Sequence, residues 1–422
     1  MALGVHRLTR AATTAVPATP TAGVTRTGGR SYDRRMSASS SAGRREPLVG
    51  RAAELDDLDE VLSTVTTGAG ATVLLEGEPG VGRSRLVEAL QGSARLLGVD
   101  VVSARGHDPG TPYALLADAL LRRDTGPAAP HARGPVVAEL TALLDRVPAG
   151  PSAAPARHAR AEELFTALVR RHGDDGPWAL VLDDLHLADA PSLALLAHLA
   201  GDGVLPHALT VMTLRPVPRP ELAALVAAWT RAGARYLEVR PLSMSACVEL
   251  AQHLVGAPVG PALRGVLATT GGNPRLVVDV VHAVQACGAL EPRGGGVDLV
   301  GQSWNDELDR VGRSHVQDLD PAVRHVLGQA SVLGTSFVVG DLAALTGLPL
   351  TDCWRTLRHG LAAGVVHARG DRLVFRHDLV RTGLYGGLDP TARRALHARA
   401  AWALREAGAP SFVVAAHLER AR

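Results

Sequence analysis

The spacing of hydrophobic positions alternates between the repeat of a helix and the short apolar runs of buried strands. A helix is predicted over 53–65, where apolar residues recur every three or four positions. Five apolar runs have the length of buried strands, and helical stretches separate them. These runs are 72–75, 99–102, 178–182, 209–214 and 236–239. Strands that alternate with helices predict an α/β fold, a parallel sheet with helices on both faces.

The pattern changes after Pro241, where strand signals fade and helices are predicted to about residue 290. Residues 293–298 are expected to form a turn or linker. Three short helices and then two extended runs are predicted next, an order typical of a winged helix. The helices are 322–333, 341–345 and 351–363, and the extended runs are 365–368 and 372–375. Two further helical stretches, at 391–406 and 413–418, would open a helical repeat.

Composition narrows the class of protein. The chain has 422 residues, of which 46% are hydrophobic, enough for two or three globular domains. All 44 basic residues are arginine; residues 1–45 carry a net +7, so the other 377 carry −5. This distribution predicts a disordered, arginine-rich tail over 1–45 and argues against a large nucleic-acid surface on the body. Three separate cysteines and the lack of a long apolar run favour a cytoplasmic protein without a membrane segment.

A glycine-rich motif follows the first predicted strand. Residues 77–84 read GEPGVGRS and precede a helical pattern, which is the strand, loop and helix setting of a phosphate-binding P-loop. Glycines let backbone N–H groups surround phosphates, and a serine hydroxyl can bind Mg²⁺. The candidate nucleotide-binding residues here are Gly77, Gly80, Gly82, Arg83, Ser84 and Arg85, with Ser84 also a metal ligand. Arg83 stands where lysine is usual, and this exchange places hydrolysis in doubt because the guanidinium is planar and bulkier.

Paired carboxylates end the third predicted strand, as in a Walker B element. Asp183 is expected to hold Mg²⁺, and Asp184 to orient or deprotonate the attacking water. Arg215 follows the fourth strand and is expected to sense the terminal phosphate. We therefore assign Asp184 and Arg215 to catalysis and Asp183 to the metal, with ATP or ADP and Mg²⁺ as cofactors. The competing interpretation of Arg215 is an ordinary surface arginine.

Seven motifs in fixed order resemble the STAND class of AAA+-related P-loop ATPases, and most closely the ATPase module of large LuxR-type (LAL) transcriptional regulators. They are VGR at 49–51, GEPGVGRSRL at 77–86, VLDDLHLADAPSL at 181–193, TLRP at 213–216, PLS at 241–243, GGNPR at 271–275 and FRHDLVRTGLY at 375–385. The resemblance implies that Gly50 and Arg51 lie near the adenine and that Asn273 and Pro274, in a helical lid, pack against the nucleotide. It also implies that His377, in a winged helix, touches the β-phosphate of ADP. The alternatives are an ordinary core or hairpin histidine for His377 and a turn-forming residue before proline for Asn273.

The resemblance and the pattern together predict five segments. A tail over 1–45 precedes a P-loop AAA-type ATPase domain over 46–240, a helical lid over 241–310, a winged-helix domain over 311–390 and the start of a helical repeat over 391–422. The LuxR-type regulators continue into a C-terminal DNA-binding helix-turn-helix, and no such motif occurs up to Arg422. Direct DNA binding is therefore not expected, and the winged helix is interpreted as a packing domain.

Three functions remain open at this point. The first is a regulatory switch that binds ATP or ADP and acts on a protein partner or by self-association. The second is an active Mg²⁺-dependent ATPase in which Arg83 is tolerated. The third is a degenerate scaffold, or a truncated regulator, that no longer binds nucleotide.

Overall fold

A five-stranded parallel sheet organises the first half of the chain. The computed structural model describes residues 48–107, 111–121, 135–145, 154–174, 176–201, 208–302 and 304–422, so the predicted tail lies outside the described residues. The strands are β1 (Ala71–Gly77), β2 (Asp100–Arg105), β3 (Trp178–Asp183), β4 (Ala208–Leu214) and β5 (Arg235–Val239). Their order is β2-β3-β4-β1-β5, and every pair is parallel. All five strands expected from the apolar runs are confirmed.

Helices cover both faces of this sheet. They are α1 (Ala52–Thr66), α2 (Arg83–Leu96), α3 (Ala114–Leu121), α4 (Pro135–Asp145), α5 (Ala154–Asp174), α6 (Ala190–Gly201) and α7 (Pro220–Arg231). Successive strand residues point to opposite faces, so Val73 and Leu75 pack with α1 and α2, whereas Leu74 packs with α3, α6 and α7. Because the strands are parallel, the residues that follow β1, β2, β3 and β4 all lie at one edge.

The region after β5 is helical but also contains a hairpin. It comprises α8 (Met244–Val255), α9 (Pro261–Ala268), α10 (Pro274–Ala286), β6 (Leu290–Arg293) and β7 (Gly296–Leu299). The expectation of a plain turn or linker over 293–298 is wrong, because β6 and β7 pair antiparallel around Gly294 and Gly295. Both glycines have positive φ, +58° and +82°, as a tight hairpin turn requires.

The last part of the chain combines helices with a small antiparallel sheet. Its elements are α11 (Trp304–Ser314), α12 (Pro321–Val332), β8 (Ser336–Phe337), α13 (Val339–Thr346), α14 (Leu350–Ala362), β9 (Val366–Arg369), β10 (Arg372–Phe375), α15 (Asp378–Gly386), α16 (Pro390–Glu406) and α17 (Ser411–Arg420). The sheet order is β8-β10-β9. The three helices and the hairpin expected from the pattern are present, and the sequence did not predict β8 or α15. Assignment of this region to a winged helix stays a prediction.

One hydrophobic core joins the region after β5 to the last part of the chain; it includes buried residues from Leu242 to Ala400, together with Val49 before α1. Within it, α11 crosses α15 at two glycines: a Cβ on Gly312 would lie 2.2 Å from the carbonyl oxygen of Leu379. The Leu379 amide also donates to the carbonyl of Thr269 just after α9. These contacts fix the start of α15 beside the region after β5. Among the described helices, none is long and apolar enough to cross a bilayer.

Candidate nucleotide-binding site

The loop between β1 and α2 has the backbone of a phosphate-binding loop. Gly80 and Gly82 have φ of +78° and +103°, a conformation that glycine adopts without strain. A Cβ on Gly77 would lie 2.9 Å from the carbonyl oxygen of Val239 on β5, so a side chain is excluded there as well. The loop ends in the N-terminus of α2, whose first amide groups attract anions.

The hydroxyl of Ser84 and the carboxylate of Asp183 meet at this helix terminus. Ser84 is exposed, and its Oγ donates to Asp183 Oδ2 at 3.3 Å. The other carboxylate oxygen accepts from Thr213 Oγ1 at 2.5 Å, and the same hydroxyl accepts from the Asp184 amide at 2.8 Å. Oxygen ligands of this kind suit Mg²⁺, which keeps several waters and phosphate oxygens of its own. The residues present therefore fit a magnesium ion held by Ser84 and Asp183.

The next carboxylate, Asp184, is enclosed by arginines. It is 2% exposed; Arg83 Nη2 donates to Oδ1 at 3.3 Å, and Arg105 donates to Oδ2 through Nε at 2.9 Å and Nη2 at 2.5 Å. Burial alone would raise the pKa of Asp184, but the hydrogen bonds of Arg105 and the charge of Arg83 outweigh it, and the pKa is lowered. Asp184 is therefore ionised, and both oxygens are engaged in this arrangement.

Positive charge exceeds negative charge around these carboxylates. Arg83, Arg105 and Arg215 lie within electrostatic reach of Asp183 and Asp184. Arg83 is 6% exposed, and burial, followed by the charge of Arg215, lowers its pKa against the pull of Asp184. Among the described residues, Nη1 of Arg83 and Nε of Arg215 find no hydrogen-bond acceptor although both atoms are buried. Buried guanidinium nitrogens without acceptors fit a site that receives phosphate.

His186 completes this side of the loop as an uncharged neighbour. Its Nδ1 lies 3.8 Å from Asp184 Oδ1. Burial first, and then the charge of Arg215, lowers the pKa of His186 to about 4 against the opposing pull of Asp184. The imidazole is therefore neutral near pH 7.

A second buried carboxylate, Glu78, lies on the opposite side of the P-loop. It is 5% exposed and accepts from Arg376 Nη1 at 2.9 Å and from Asn273 Nδ2 at 3.3 Å. Its Oε1 is 3.6 Å from His377 Nε2. Burial raises the pKa of Glu78, and Arg376 and Asn273 offset this effect only in part. Glu78 thus connects the P-loop to residues about 200 and 300 positions later.

Asn273 fastens the N-terminus of α10 to the loop. Its Oδ1 accepts from the amides of Arg275 and Leu276, which caps the helix, while its Nδ2 donates to the carbonyl of Pro79 at 2.8 Å. The Arg275 amide donates to the carbonyl of Gly80 at 3.3 Å. Pro274, the first residue of α10, lies beside Gly82, where an added Cβ would be 4.0 Å from its Cγ. Asn273 and Pro274 therefore lie directly against the phosphate loop.

His377 is buried at the start of α15 and faces Glu78 rather than the loop backbone. A Cβ on Gly271 would lie 2.8 Å from its Nδ1, so the histidine also packs closely on the turn before α10. Burial, then the charges of Arg376 and His315, lower the pKa of His377 to about 4. The turn between α14 and β9 also lies against the loop, since a Cβ on Gly364 would lie 3.2 Å from Pro79 Cδ.

The remaining predicted residues lie farther from the carboxylate pair. Arg51 is buried and donates through Nη2 to the carbonyl of Val81 at 2.7 Å, so it supports the loop directly. Gly50 has φ +66° and packs on Ala246 of α8. Arg85 lies at the start of α2, and its Nε is 3.9 Å from Glu88 Oε2 on the same helix.

Sequence reasoning missed several side chains that shape the site. Arg105 ends β2 three residues beyond the apolar run that predicted this strand. Glu78 and Thr213 fall inside quoted motifs, at positions to which the motifs assign no role. Arg376 precedes His377 in the same motif, and this proximity was the signal available for it.

One solved structure supports the fold, and two others match at lower TM-scores. A Walker-type ATPase of Pyrococcus abyssi is 15% identical, with 81% of this chain and 97% of that chain covered and a TM-score of 0.50. The ORC1 protein of Aeropyrum pernix, solved in complex with DNA, is 19% identical over 83% and 95%, with a TM-score of 0.44. A STAND protein of Pyrococcus horikoshii with a tetratricopeptide repeat sensor is 13% identical; 90% of this chain covers 49% of that one, and the TM-score is 0.37.

Sequence comparison identifies the first half of the chain more directly. A search of curated proteins finds no significant match. The family model described as AAA ATPase domain matches residues 47–212, a range that includes the P-loop and the paired carboxylates. The chain therefore contains an AAA-type P-loop ATPase domain.

Proposed function

We propose that this protein is a regulatory switch of the STAND class that responds to whether ATP or ADP is bound. The nucleotide lies between the sheet domain over 46–240 and the lid over 241–310, and the region over 311–390 is a winged helix that responds through His377. Residues 391–422 open a helical repeat. The seven ordered sequence motifs support the finer relation to LuxR-type regulators.

One observation carries this proposal: the P-loop segment 78–80 is hydrogen-bonded to the N-terminus of α10 and to the residue before His377. Glu78 binds Arg376 and Asn273, Pro79 accepts from Asn273, and Gly80 accepts from the Arg275 amide. A ligand that alters this short segment therefore acts directly on the lid and on the region before α15. A population shift requires such differential contacts in the two states.

The chain's own residues have distinct tasks in this proposal. Loop amides and the N-terminus of α2 contact phosphate, and Arg51 supports the loop from behind at Val81. Ser84 and Asp183 hold Mg²⁺, which neutralises phosphate charge when it is bound. Gly50, beside α8, is proposed to border the adenine, and Arg85 extends the positive surface of α2. The output is a protein contact or self-association, and we place it in the cytoplasm, where the three free cysteines would stay reduced.

Nucleotide binding is tested first by thermal unfolding with ADP or Mg·ATP. Both are expected to raise Tm, since a ligand at 100 times its Kd stabilises by about 2.7 kcal/mol. Ser84→Ala is expected to reduce the Mg·ATP shift, and Ser63→Ala, on an exposed part of α1, serves as its matched control. Lack of any shift with either nucleotide would leave the scaffold as the better description.

Switching is tested separately by amide hydrogen exchange. ADP and a non-hydrolysable ATP analogue are expected to give different protection at 274–281, the first part of α10, and at 378–386, the whole of α15. Equal protection in the two complexes would show that nucleotide binds without switching.

Active hydrolysis is the second candidate, because Ser84 and Asp183 already meet as a magnesium site requires. In the described arrangement, however, both oxygens of Asp184 accept hydrogen bonds from arginine, which makes this carboxylate a weaker base toward a water proton. We expect slow turnover. We also expect Arg83→Lys to raise the turnover rate about tenfold, equivalent to about 1.4 kcal/mol of activation free energy, because it replaces the planar guanidinium by a compact ammonium. Fast turnover that the lysine leaves unchanged would contradict this expectation.

A further inference from the structure

Arg105 is held beside the Walker carboxylates by its backbone. It ends β2 directly opposite Asp183 in the parallel register. The amide of the next residue, Gly106, donates to the carbonyl of Asp183 at 2.7 Å. A Cβ on Gly106 would lie 2.3 Å from the carbonyl oxygen of Asp184, so the two strand ends approach as closely as glycine permits. The base of the Arg105 side chain is therefore fixed at the phosphate edge of the sheet.

The guanidinium of Arg105 is nevertheless largely exposed to solvent. Its side chain is 69% exposed, against 7% for Arg83 and 3% for Asp184. Both of its donating atoms address Asp184 Oδ2, while Asp184 Oδ1 is bound by Arg83. Departure of Arg105 would therefore leave Asp184 paired with a buried arginine. Because its own guanidinium is largely exposed to solvent, Arg105 can exchange partners while Asp184 keeps its hydrogen bond from Arg83.

The charge balance favours an incoming anion at this position. Three guanidinium groups face two carboxylates, and buried atoms of Arg83 and Arg215 find no acceptor among the described residues. In P-loop proteins the loop backbone surrounds the inner phosphates, which a diphosphate and a triphosphate share. The additional charge of a triphosphate lies at its terminal group, toward the carboxylates that follow β3.

We infer that Arg105 exchanges Asp184 for the terminal phosphate of a nucleoside triphosphate and thereby distinguishes triphosphate from diphosphate. The inference rests on the proposed function and assigns the discrimination to the end of β2. The competing role is purely internal: Arg105 holds Asp184 in place and never touches the ligand. The two roles predict different effects of replacing Arg105 in a protein in which residue 184 carries no charge.

The first test compares affinities of ADP and of a non-hydrolysable triphosphate analogue with Mg²⁺ by isothermal titration calorimetry. Arg105→Gln is expected to weaken the triphosphate by about tenfold, the loss expected for a charge-assisted pair, and ADP by less than about threefold. Arg105→Lys is expected to weaken triphosphate binding by an intermediate factor, because the ammonium keeps the positive charge but loses the paired donors of the guanidinium. Arg95→Gln, at the exposed far end of α2, is the matched control and is expected to change neither affinity.

The second test repeats Arg105→Gln in an Asp184→Asn background. If Arg105 contacts the phosphate, the selective loss of triphosphate affinity persists there. An equal loss for both ligands, no loss for either, or a selective loss that disappears in the Asp184→Asn background would each overturn the inference. Failure of the unsubstituted protein to bind either ligand would instead overturn the proposed function itself.

Discussion

Two carboxylates are buried against opposite sides of the P-loop, and their surroundings are alike at first sight. Asp184 is 2% exposed and Glu78 is 5% exposed. Each accepts a hydrogen bond from arginine, and each has an imidazole nitrogen nearby, His186 at 3.8 Å and His377 at 3.6 Å. Burial lowers the pKa of both histidines to about 4.

The pKa values of the two carboxylates nevertheless move in opposite directions. Two arginines bind Asp184, and its pKa is lowered despite burial; Arg376 and the neutral amide of Asn273 bind Glu78, and its pKa is raised. The number of cationic donors, rather than burial, therefore sets the direction of the shift. Asp184 is held within the sheet domain, whereas the partners of Glu78 come from 195 and 298 residues later. The cluster around Asp184 is therefore an anion site inside the sheet domain, whereas the cluster around Glu78 connects the P-loop to later segments of the chain.

The largest expected effect comes from Asp184→Asn. Removing the anion leaves the buried Arg83 without its hydrogen-bonded counter-ion, and breaking a buried pair in this way costs about 3–5 kcal/mol. We expect the free energy of unfolding, measured with urea, to fall by this amount without nucleotide. Mg·ATP is expected to restore more of it than in the unsubstituted protein, because phosphate replaces the lost charge.

Asp59→Asn, at an exposed position on the sheet-domain helix α1, serves as the control for Asp184→Asn. An Asp184→Asn protein as stable as this control would mean that Arg83 does not depend on Asp184 for compensation. Equal stabilisation of the two variants by Mg·ATP would contradict the idea that phosphate and Asp184 satisfy the same arginines.

A smaller effect is expected from the histidine beside Glu78. The pKa of His377 is about 4 in the folded protein and 6.5 in its ordinary state, so its contribution to stability is present above pH 6.5 and is lost as the pH falls toward 4. The full loss is about 3 kcal/mol. His377→Gln is expected to reduce the decrease in unfolding free energy over this interval.

The same substitution at His186 tests whether the two sides behave alike. The pKa of His186 is also about 4, so His186→Gln should reduce the acid-dependent loss to a similar degree. If only one of the two substitutions alters the pH profile, the other histidine is not held neutral in the folded protein.

The two clusters also differ in how far the sequence predicted them. Asp183, Asp184 and Ser84 follow apolar strands or glycine turns, and strong local periodicity made their strand ends predictable. Arg105 was missed because β2 extends beyond its apolar run, to positions where polar side chains face the ligand edge. The partners of Glu78 depend on how distant segments pack, which no local pattern encodes. The hairpin at 290–299 was missed because its strands are short and contain Pro292 and charged residues.

The smallest effect, and the most direct comparison with Asp184→Asn, is expected from Glu78→Gln. The amide keeps oxygen acceptors for Arg376 and Asn273 and removes a charge whose burial already raises the pKa of Glu78. We expect the unfolding free energy at pH 7 to change by less than about 1 kcal/mol, because the side chain of the Arg376 left behind is 31% exposed to solvent, whereas Arg83 is buried. Urea unfolding, with the exposed Glu88→Gln on α2 as control, measures the difference.

The pH dependence of Glu78→Gln tests whether the charge of Glu78 is stabilised less than the charge of Asp184. Because its folded pKa is raised above 4.5, its contribution to stability is present below pH 4.5 and is lost as the pH rises through the folded value. Glu78→Gln should abolish this decrease, whereas Asp184, with its lowered pKa, loses its contribution only as the pH falls below 3.8. A cost of 3 kcal/mol or more at pH 7, about that of Asp184→Asn, would show that Arg376 holds the Glu78 charge as firmly as two arginines hold Asp184. The ion pair between the P-loop and the start of α15 would then contribute as much to stability as the ion pairs inside the sheet domain.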